Sequence, residues 1–353
     1  MLAESHPFIR RILRFCALPY CYFRLVNWKQ CPISKLKVAS DLLTIFFKLK
    51  YFPDNYSPCR LWELDKEEWI YYYGSSYHSY QRKKLRKEVQ TYERQILFDD
   101  KEVCEQLCRG MDVKMPASFG TLDPNLKYKK KIQLIFENHE VEQIIIKPIL
   151  GHAGRGILVA RKENTNIRIN DGTNSVKLDD FTLKTKAIAQ EMVTQNSDIS
   201  NISACSINTI RVLTLYSRTE NVIVISSSMR FGVGKAFVDN WSAGGVAVGV
   251  DHDKGRLKET AYDKFGNQFT THPTSGISFK NFKIPYWDQV LELALHVQRS
   301  CHFYKLIGMD IALSKNGPVL NEVNANPDIV FQEQTSGPLL KDRRDLREFD
   351  KYD

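Results

Sequence analysis

Three oxygen-bearing side chains late in the chain are spaced for metal chemistry. Asp310 opens one β-rich run, and Glu322 and Asn324 close the next, after a Lys315-Asn316-Gly317 turn. Successive side chains of a strand point to opposite faces, so Glu322 and Asn324 share one. A hairpin closed at the turn brings Asp310 back toward them. Two carboxylates and an amide oxygen then converge. Hard oxygen ligands with room left for water and phosphate suit Mg²⁺, with Mn²⁺ as a substitute, and such a site points to a nucleotide. Taken alone, the same residues also describe a solvated strand edge and a turn cap.

Further polar groups precede this triplet. Lys147 ends an apolar run, followed by Gly151, Gly154 and Gly156 and a second apolar run. Glycines let backbone N–H groups approach phosphate oxygens, and Lys147 adds a point charge beside them. The order is neither that of a P-loop nor that of a dinucleotide fingerprint. The segment Ala189 to Val193 reads as an edge strand or linker whose backbone could meet an adenine, with Gln190 or Glu191 at the exocyclic amine, or as a plain surface strand. Arg211 and Arg230 each lie on or just beyond a β run, offering planar forks for phosphate or carboxylate. The loop Asp239 to Gly245, with Asn240, Gly244 and Gly245, is polar and glycine-rich, a composition suited to a substrate or phosphate loop. His272-Pro273 and Pro285-Tyr286-Trp287 flank another loop that could line an acceptor site.

The elements that must position these groups follow a simple order. Residues 1–98 read as helical, including one solvated helix from Ser79 to Phe98. A further helix starts at Asp99-Asp100-Lys101 and stops at Gly110. Residues 113–120 read as a short strand containing a proline. Strands are then expected from Gln143, after the glycine turn, at Thr209, at Val222 and across residues 244–251. A helix from Trp287 to about His302 precedes the hairpin. The tail from Lys341 is dense in charge.

With 353 residues the chain can bury a full core in two or three subdomains. Its eight cysteines form no CxxC pair and no zinc spacing, and Cys104 and Cys108, one helical turn apart with no His partner nearby, read as buried free thiols, which implies a reducing compartment. The N-terminus shows neither a signal peptide nor a spanning helix. Of the net charge of +9, a surplus of seven lies in residues 1–50, which hold nine Lys/Arg and two Asp/Glu. Phe8, Ile9, Ile12, Leu13 and Phe15 accompany it. This basic amphipathic stretch either attracts anionic lipid or an acidic polymer, or packs its apolar stripe on the main body. No nucleic-acid motif accompanies the charge. The expected location is cytoplasmic, with a peripheral position on the inner face of the membrane if the lipid attraction operates.

Taken in order, these segments resemble the ATP-grasp superfamily, and most closely its sugar-transfer-associated branch, found with polysaccharide-synthesis genes. The resemblance rests on 99–101 (DDK), 147–157 (KPILGHAGRGI), 190–193 (QEMV), 206–214 (SINTIRVLT), 229–245 (MRFGVGKAFVDNWSAGG), 307–313 (IGMDIAL) and 321–328 (NEVNANPD). It spans about residues 50 to 335. It implies an α/β (α+β) fold in which two subdomains clasp ATP behind a mostly helical N-terminal segment. The implied boundaries are 1–98, 99–190, 191–340 and a tail at 341–353. Lys101 and Lys147 look like nucleotide-phosphate lysines, Gly154 and Gly156 like the closing loop, and Gln190, Glu191 and Val193 like the adenine hinge. Asp310, Glu322 and Asn324 match magnesium ligands. Where peptide-ligase relatives carry a catalytic arginine, this chain has Gly308, so Arg211 or Arg230 must take that role.

The implied reaction is ADP-forming ligation of a carboxylate and an amine through an acyl phosphate, in assembly of a bacterial surface polysaccharide. The substrates would be small molecules, free or sugar- or lipid-linked. Phosphorylation of a sugar or lipid-linked hydroxyl by the same clasp, and a non-catalytic ATP- or glycan-binding module, are the alternatives.

Overall fold

The computed structural model describes residues 7–74, 83–151, 154–164, 166–234 and 239–341. Its body is built on two antiparallel sheets. The first contains β1 (Ser118–Leu122), β2 (Gln143–Pro148), β3 (Leu158–Glu163), β4 (Asn166–Asn170), β5 (Ser175–Lys177) and β6 (Ala187–Glu191), in the order β1-β6-β2-β3-β4-β5. The helix Tyr128–Asn138 buries Ile132, Ile135 and Phe136 in one cluster with Leu122, Ile144, Ile146 and Ala189. Their spacing of three and four residues is the apolar stripe of a helix lying on a sheet.

The second sheet contains β7 (Thr209–Tyr216), β8 (Val222–Phe231), β9 (Val246–Asp251), β10 (Arg256–Tyr262), β11 (Gln268–Phe269), β12 (Leu306–Ser314) and β13 (Gly317–Asn324). Its order is β11-β10-β9-β8-β7-β12-β13. Strand alternation divides its residues by face. Ile210, Val212, Met309 and Ile311 join the main core with Trp287, Val290, Ala294 and Val297 of the helix Trp287–Ser300. Arg211, Asp310 and their neighbours point the other way and form the floor of a cleft. The hairpin closes as its sequence requires: Ser314 pairs with Gly317 around Lys315-Asn316, and Gly317 takes φ +108°.

The N-terminal segment builds its own apolar cluster from Leu18, Val38, Leu42, Ile45, Phe46, Tyr51, Tyr56, Leu61 and Trp69. It is tied to the body by Asn27 and Gln30, whose amides donate to Asn267 Oδ1 at 3.2 and 2.7 Å, and by Gln334, which donates to the Pro58 carbonyl at 3.0 Å. The helix Lys35–Thr44 turns its apolar stripe, Val38 and Leu42, into this N-terminal cluster rather than onto the main body. The helix Pro7–Cys16 behaves differently, leaving Phe8, Ile9, Ile12 and Leu13 exposed. Among the described residues no helix is long and apolar enough to cross a membrane.

Several expected elements differ. Within 79–98, where one solvated helix was expected, there is a helix Lys83–Val89, a 3₁₀ turn and a short helix Ile96–Asp99. Leu85 and Val89 are fully buried and the Arg86 guanidinium stacks on Tyr73, so this face packs inward. Residues 79–82 lie outside the described residues, as does the charged tail beyond Lys341. The strand expected across 113–120 begins only at Ser118, past Pro116, which has no N–H for a ladder. The segment at 187–191 is not an edge strand: β6 lies between β1 and β2, with Gln190 paired to both Ser118 and Ile145. The helix at 101–110 forms as expected, with Asp100 as its cap, accepting from the N–H groups of Glu102 and Val103 at 2.9 and 3.0 Å.

Candidate active site

Three charged side chains lie in one row across the second sheet. Arg211 on β7 is directly opposite Asp310 on β12, and Asp310 is directly opposite Glu322 on β13. Arg230 joins them from β8, two residues beyond the Ser228 that faces Arg211. Register therefore converges these groups, without help from loops. Arg211 grips both oxygens of Asp310, Nε on Oδ1 and Nη2 on Oδ2 at 2.9 Å, and Arg230 Nη2 reaches Oδ2 at 3.1 Å. Burial alone would raise the Asp310 pKa, but the two guanidinium groups hold it at about 2, so it is ionised throughout the neutral range.

A second layer fixes Arg230. Its Nη2 donates to Thr209 Oγ1 at 2.6 Å, and Asp239 Oδ2 accepts from the Thr209 N–H at 2.8 Å and its hydroxyl. Burial works against the Arg230 charge, yet Asp239, Asp310 and Glu322 keep its proton held more firmly than usual. Its Nε is buried, makes no hydrogen bond, and lies 3.5 Å from Asp239. Burial likewise pushes Asp239 up, and Arg230 opposes it.

The opposite wall supplies two lysines. Lys101 Nζ bonds the Gly151 carbonyl at 2.9 Å and approaches Glu322 at 3.2 Å. Lys147, 6% exposed, donates to Asn321 Oδ1 at 2.9 Å. A neutral amide is poor compensation for a buried ammonium, and desolvation lowers the Lys147 pKa to about 8. Asn321 reaches this place through a β-bulge. Asp310 faces Glu322 while Ile311 faces Leu320, so Asn321 is the extra residue. Strict alternation would send Asn321 and Glu322 to opposite faces; the bulge lets both line the cleft.

The cleft encloses about 410 Å³, running from Lys101, Lys147 and Gly154 past the ionic row to Trp241, Asp328 and Phe331. Of the residues singled out in the sequence, it brings together Lys101, Lys147, Gly154, Arg211, Arg230, Asn240, Asp310, Glu322 and Asn324. Gly156, Gln190, Glu191, Val193, Gly244 and Gly245 are not among its lining residues. Gly156 turns the loop at φ +73° against Pro148. Gly245 is needed for close packing, since a Cβ there would lie 2.7 Å from the Asp239 carbonyl oxygen. Asn240 caps the following turn, accepting from the Ser242 N–H at 3.0 Å. The loops at His272 and Trp287 are not among the cleft's lining residues; His272 Nε2 bonds the Gly232 carbonyl at 2.9 Å, and Trp287 Nε1 donates to the His252 carbonyl at 2.8 Å. Asn321 and Asp328, read only as part of the 321–328 motif, and Gln95, Arg155 and Asn326 are polar lining groups to which sequence reasoning gave no role of their own.

Asp310, Glu322 and Asn324 present two carboxylates and an amide, a set of hard oxygens that fits a cation retaining several waters. Asn324 Nδ2 turns toward Asp310 Oδ2 at 3.5 Å and the Gly308 carbonyl at 3.4 Å, so the amide sits beside the row. Among the described residues no group of three His, Cys, Asp or Glu side chains offers a metal site. A divalent ion here would rely on the amide and on water.

Gly308 has a local explanation. A Cβ there would lie 2.6 Å from Pro327 Cβ and 3.2 Å from Arg211 Cδ, so the Arg211 side chain already fills the space beside it. Gly308→Ala is expected to destabilise the protein by about 1–3 kcal/mol through this overpacking. Urea unfolding of the variant checks it; an unchanged midpoint would show that Pro327 can move aside.

Comparison with known proteins adds a family. The profile described as sugar-transfer associated ATP-grasp matches residues 80–351, starting later and ending later than the 50–335 read from the motifs. No curated protein matches the chain. Among solved structures, the VanG D-Ala:D-Ser ligase from Enterococcus faecalis is 13% identical with a TM-score of 0.42, over 72% of this chain and 62% of that one. A biotin carboxylase from Campylobacter jejuni is 13% identical with a TM-score of 0.43, over 73% of this chain and 47% of that one. N5-carboxyaminoimidazole ribonucleotide synthetase from Thermotoga maritima is 10% identical with a TM-score of 0.37, over 65% of this chain and 42% of that one. The chain spans less than two thirds of the length of each of these structures.

Proposed function

We propose that this chain, which belongs to the sugar-transfer associated ATP-grasp family, is an ADP-forming ligase that joins a carboxylate to an amine through an acyl phosphate. The observation that carries the proposal is Lys147: a buried ammonium whose hydrogen bond goes to a neutral amide and whose charge Glu322 and Asp310 offset only in part, lining a polar cleft beside two arginines. A cation left so poorly compensated favours a polyanion in the space before it. Residues 99–190 and 191–340 are taken as the two subdomains that clasp the nucleotide.

In this reading Lys101 and Lys147 hold the phosphate chain, and Gly154 and Gly156 let the loop fold over it. Gln190, Glu191 and Val193 are assigned to the adenine end, outside the ionic cleft. Asp310, Glu322 and Asn324 would hold Mg²⁺, which supplies Lewis-acid neutralisation of phosphate charge when bound. The substrate carboxylate attacks the γ-phosphorus of ATP, ADP leaves, and an amine then displaces phosphate to give the amide. The chain's contribution is to hold the reacting groups in line and to face the transferring phosphoryl group with fixed positive charge. Arg211 and Arg230 are rigid enough for this, each tied to a carboxylate and near the Phe331 ring at 5.5 and 6.0 Å. A role in surface-polysaccharide assembly and a cytoplasmic setting complete the proposal; the eight unpaired thiols suit a reducing compartment.

A screen of sugar acids paired with amino acids is expected to give ADP release that depends on both partners, with an amide product by mass. A product carrying an added phosphoryl group would instead identify phosphotransfer to a hydroxyl. Absence of ADP with every pair would reduce the clasp to a binding module.

A further inference from the structure

The helix Pro7–Cys16 lies on the protein the wrong way round for a surface helix. Its apolar arc is turned outward, with Phe8 74% exposed and Ile9, Ile12 and Leu13 also exposed. Its described arginines, Arg11 and Arg14, are half-buried instead, and the Arg11 guanidinium sits 5.0 Å from the centre of the Phe46 ring. An amphipathic helix packing on a core normally does the reverse. The outward apolar surface also continues beyond the helix. Phe15 meets Phe47 with ring centres 5.7 Å apart, and Leu43, one turn from Phe47, is exposed as well.

Charge along this segment is mostly positive. Residues 1–50 carry nine Lys/Arg against two Asp/Glu. Among the described residues of that segment the acidic side chain is Asp41, which is buried and bonded to Tyr56 and Lys66. Lys37, Lys48 and Lys50 are exposed.

We infer that this face is a docking surface for an anionic phospholipid bilayer. The helix would lie in the plane of the headgroups with Phe8, Ile9, Ile12 and Leu13 entering the acyl boundary, while the surrounding lysines attract the lipid phosphates. A second copy of the chain suits the surface less well, because it would press one basic surplus against another. Since no described helix can span a bilayer, the contact is peripheral. The inference stands apart from the ligase reading, as it uses none of the cleft residues.

Flotation of the full chain with phosphatidylcholine vesicles containing about one third phosphatidylglycerol tests it. Binding is expected to fall at least about tenfold with pure phosphatidylcholine, and again between about 0.05 M and 0.5 M salt. The double variant Phe8→Ser, Ile12→Ser is expected to lose about tenfold or more in vesicle affinity. Its melting temperature and urea midpoint should stay unchanged, because both side chains are exposed. Equal binding to neutral vesicles, or full binding by the double variant, would overturn the inference. So would a solution dimer that the double variant dissolves, because the face would then belong to a second copy.

Discussion

Lys147→Met is expected to abolish turnover while making the protein harder to unfold. The two effects share one cause. Lys147 is an ammonium enclosed by protein, bonded to the Asn321 amide oxygen and displaced from the usual lysine pKa of 10.5 to about 8. A displacement of that size corresponds to roughly 3 kcal/mol of disfavour for the charged form in the folded state. A lysine whose folded pKa is lowered destabilises the fold wherever both states are protonated, below about pH 8. That penalty fades as pH rises from about 8 to 10.5. Methionine keeps the volume and removes the charge, so unfolding free energy at pH 7 should rise by about 1–3 kcal/mol. The gain should shrink at pH 9.5 and vanish near pH 10.5. ADP release should fall on the order of a thousandfold, because the phosphate chain loses a desolvated cation. Urea unfolding at both pH values, beside ADP release, measures both effects. Turnover within tenfold of the parent would remove Lys147 from the nucleotide site. A loss of stability instead would mean that Glu322, Asp310 and the Asn321 amide compensate the ammonium better than its lowered pKa indicates.

The same residue shows what could be read from the sequence and what could not. Lys147 before a glycine turn, and Asp310 and Glu322 on two runs joined by Lys315-Asn316-Gly317, were legible because strand alternation and turn chemistry are local. The register that sets Arg211 beside Asp310 was not, since nothing local says that β7 rather than another strand flanks β12. Asn321 was hidden for a related reason. Alternation places it opposite Glu322, and only the bulge after Asp310 re-aims it toward Lys147. At 187–191 the short run Ala-Ile-Ala-Gln-Glu lacks the continuous branched residues of a central strand. Its place between β1 and β2 depends on contacts far along the chain. For the helix Pro7–Cys16, periodicity reveals two faces, but which one turns inward is settled by what lies beneath it, here the Phe46 ring under Arg11. Gly308 is a case of the same kind: its meaning lies in Pro327 and in the aliphatic stem of Arg211, both brought to it by the fold.

The two carboxylates at the end of the ionic row should separate under mutation, although they face each other across one strand pair. Asp310→Asn removes the charge shared by two buried guanidinium groups, Arg211 and Arg230, and leaves Arg230 with Asp239, the Thr209 hydroxyl and the attraction of Glu322. Breaking a buried pair by removing one partner strands the other charge, a loss of about 3–5 kcal/mol. Glu322→Gln removes a half-exposed carboxylate whose recorded ion pair is to Lys101 at 3.2 Å. That pair lies at the edge of the cleft, with Glu322 still reached by solvent, so the loss of stability should be smaller than in Asp310→Asn. ADP release should nevertheless fall on the order of a thousandfold in both variants, because each would remove an anionic ligand of the proposed magnesium site. The acid limb of unfolding gives an independent check. Asp310 has a folded pKa of about 2, so its stabilisation is complete above the ordinary aspartate value near 3.9 and is lost as pH falls toward 2. That part of the limb should persist in Glu322→Gln and disappear in Asp310→Asn. Near-parental stability of Asp310→Asn would contradict the buried row as drawn, whereas near-parental turnover of Glu322→Gln would contradict the metal assignment and leave the row intact. The difference follows from position alone: Asp310 is bonded to two arginines beneath the cleft, and Glu322 lies at its edge, where a ligand can replace the lysine it now holds.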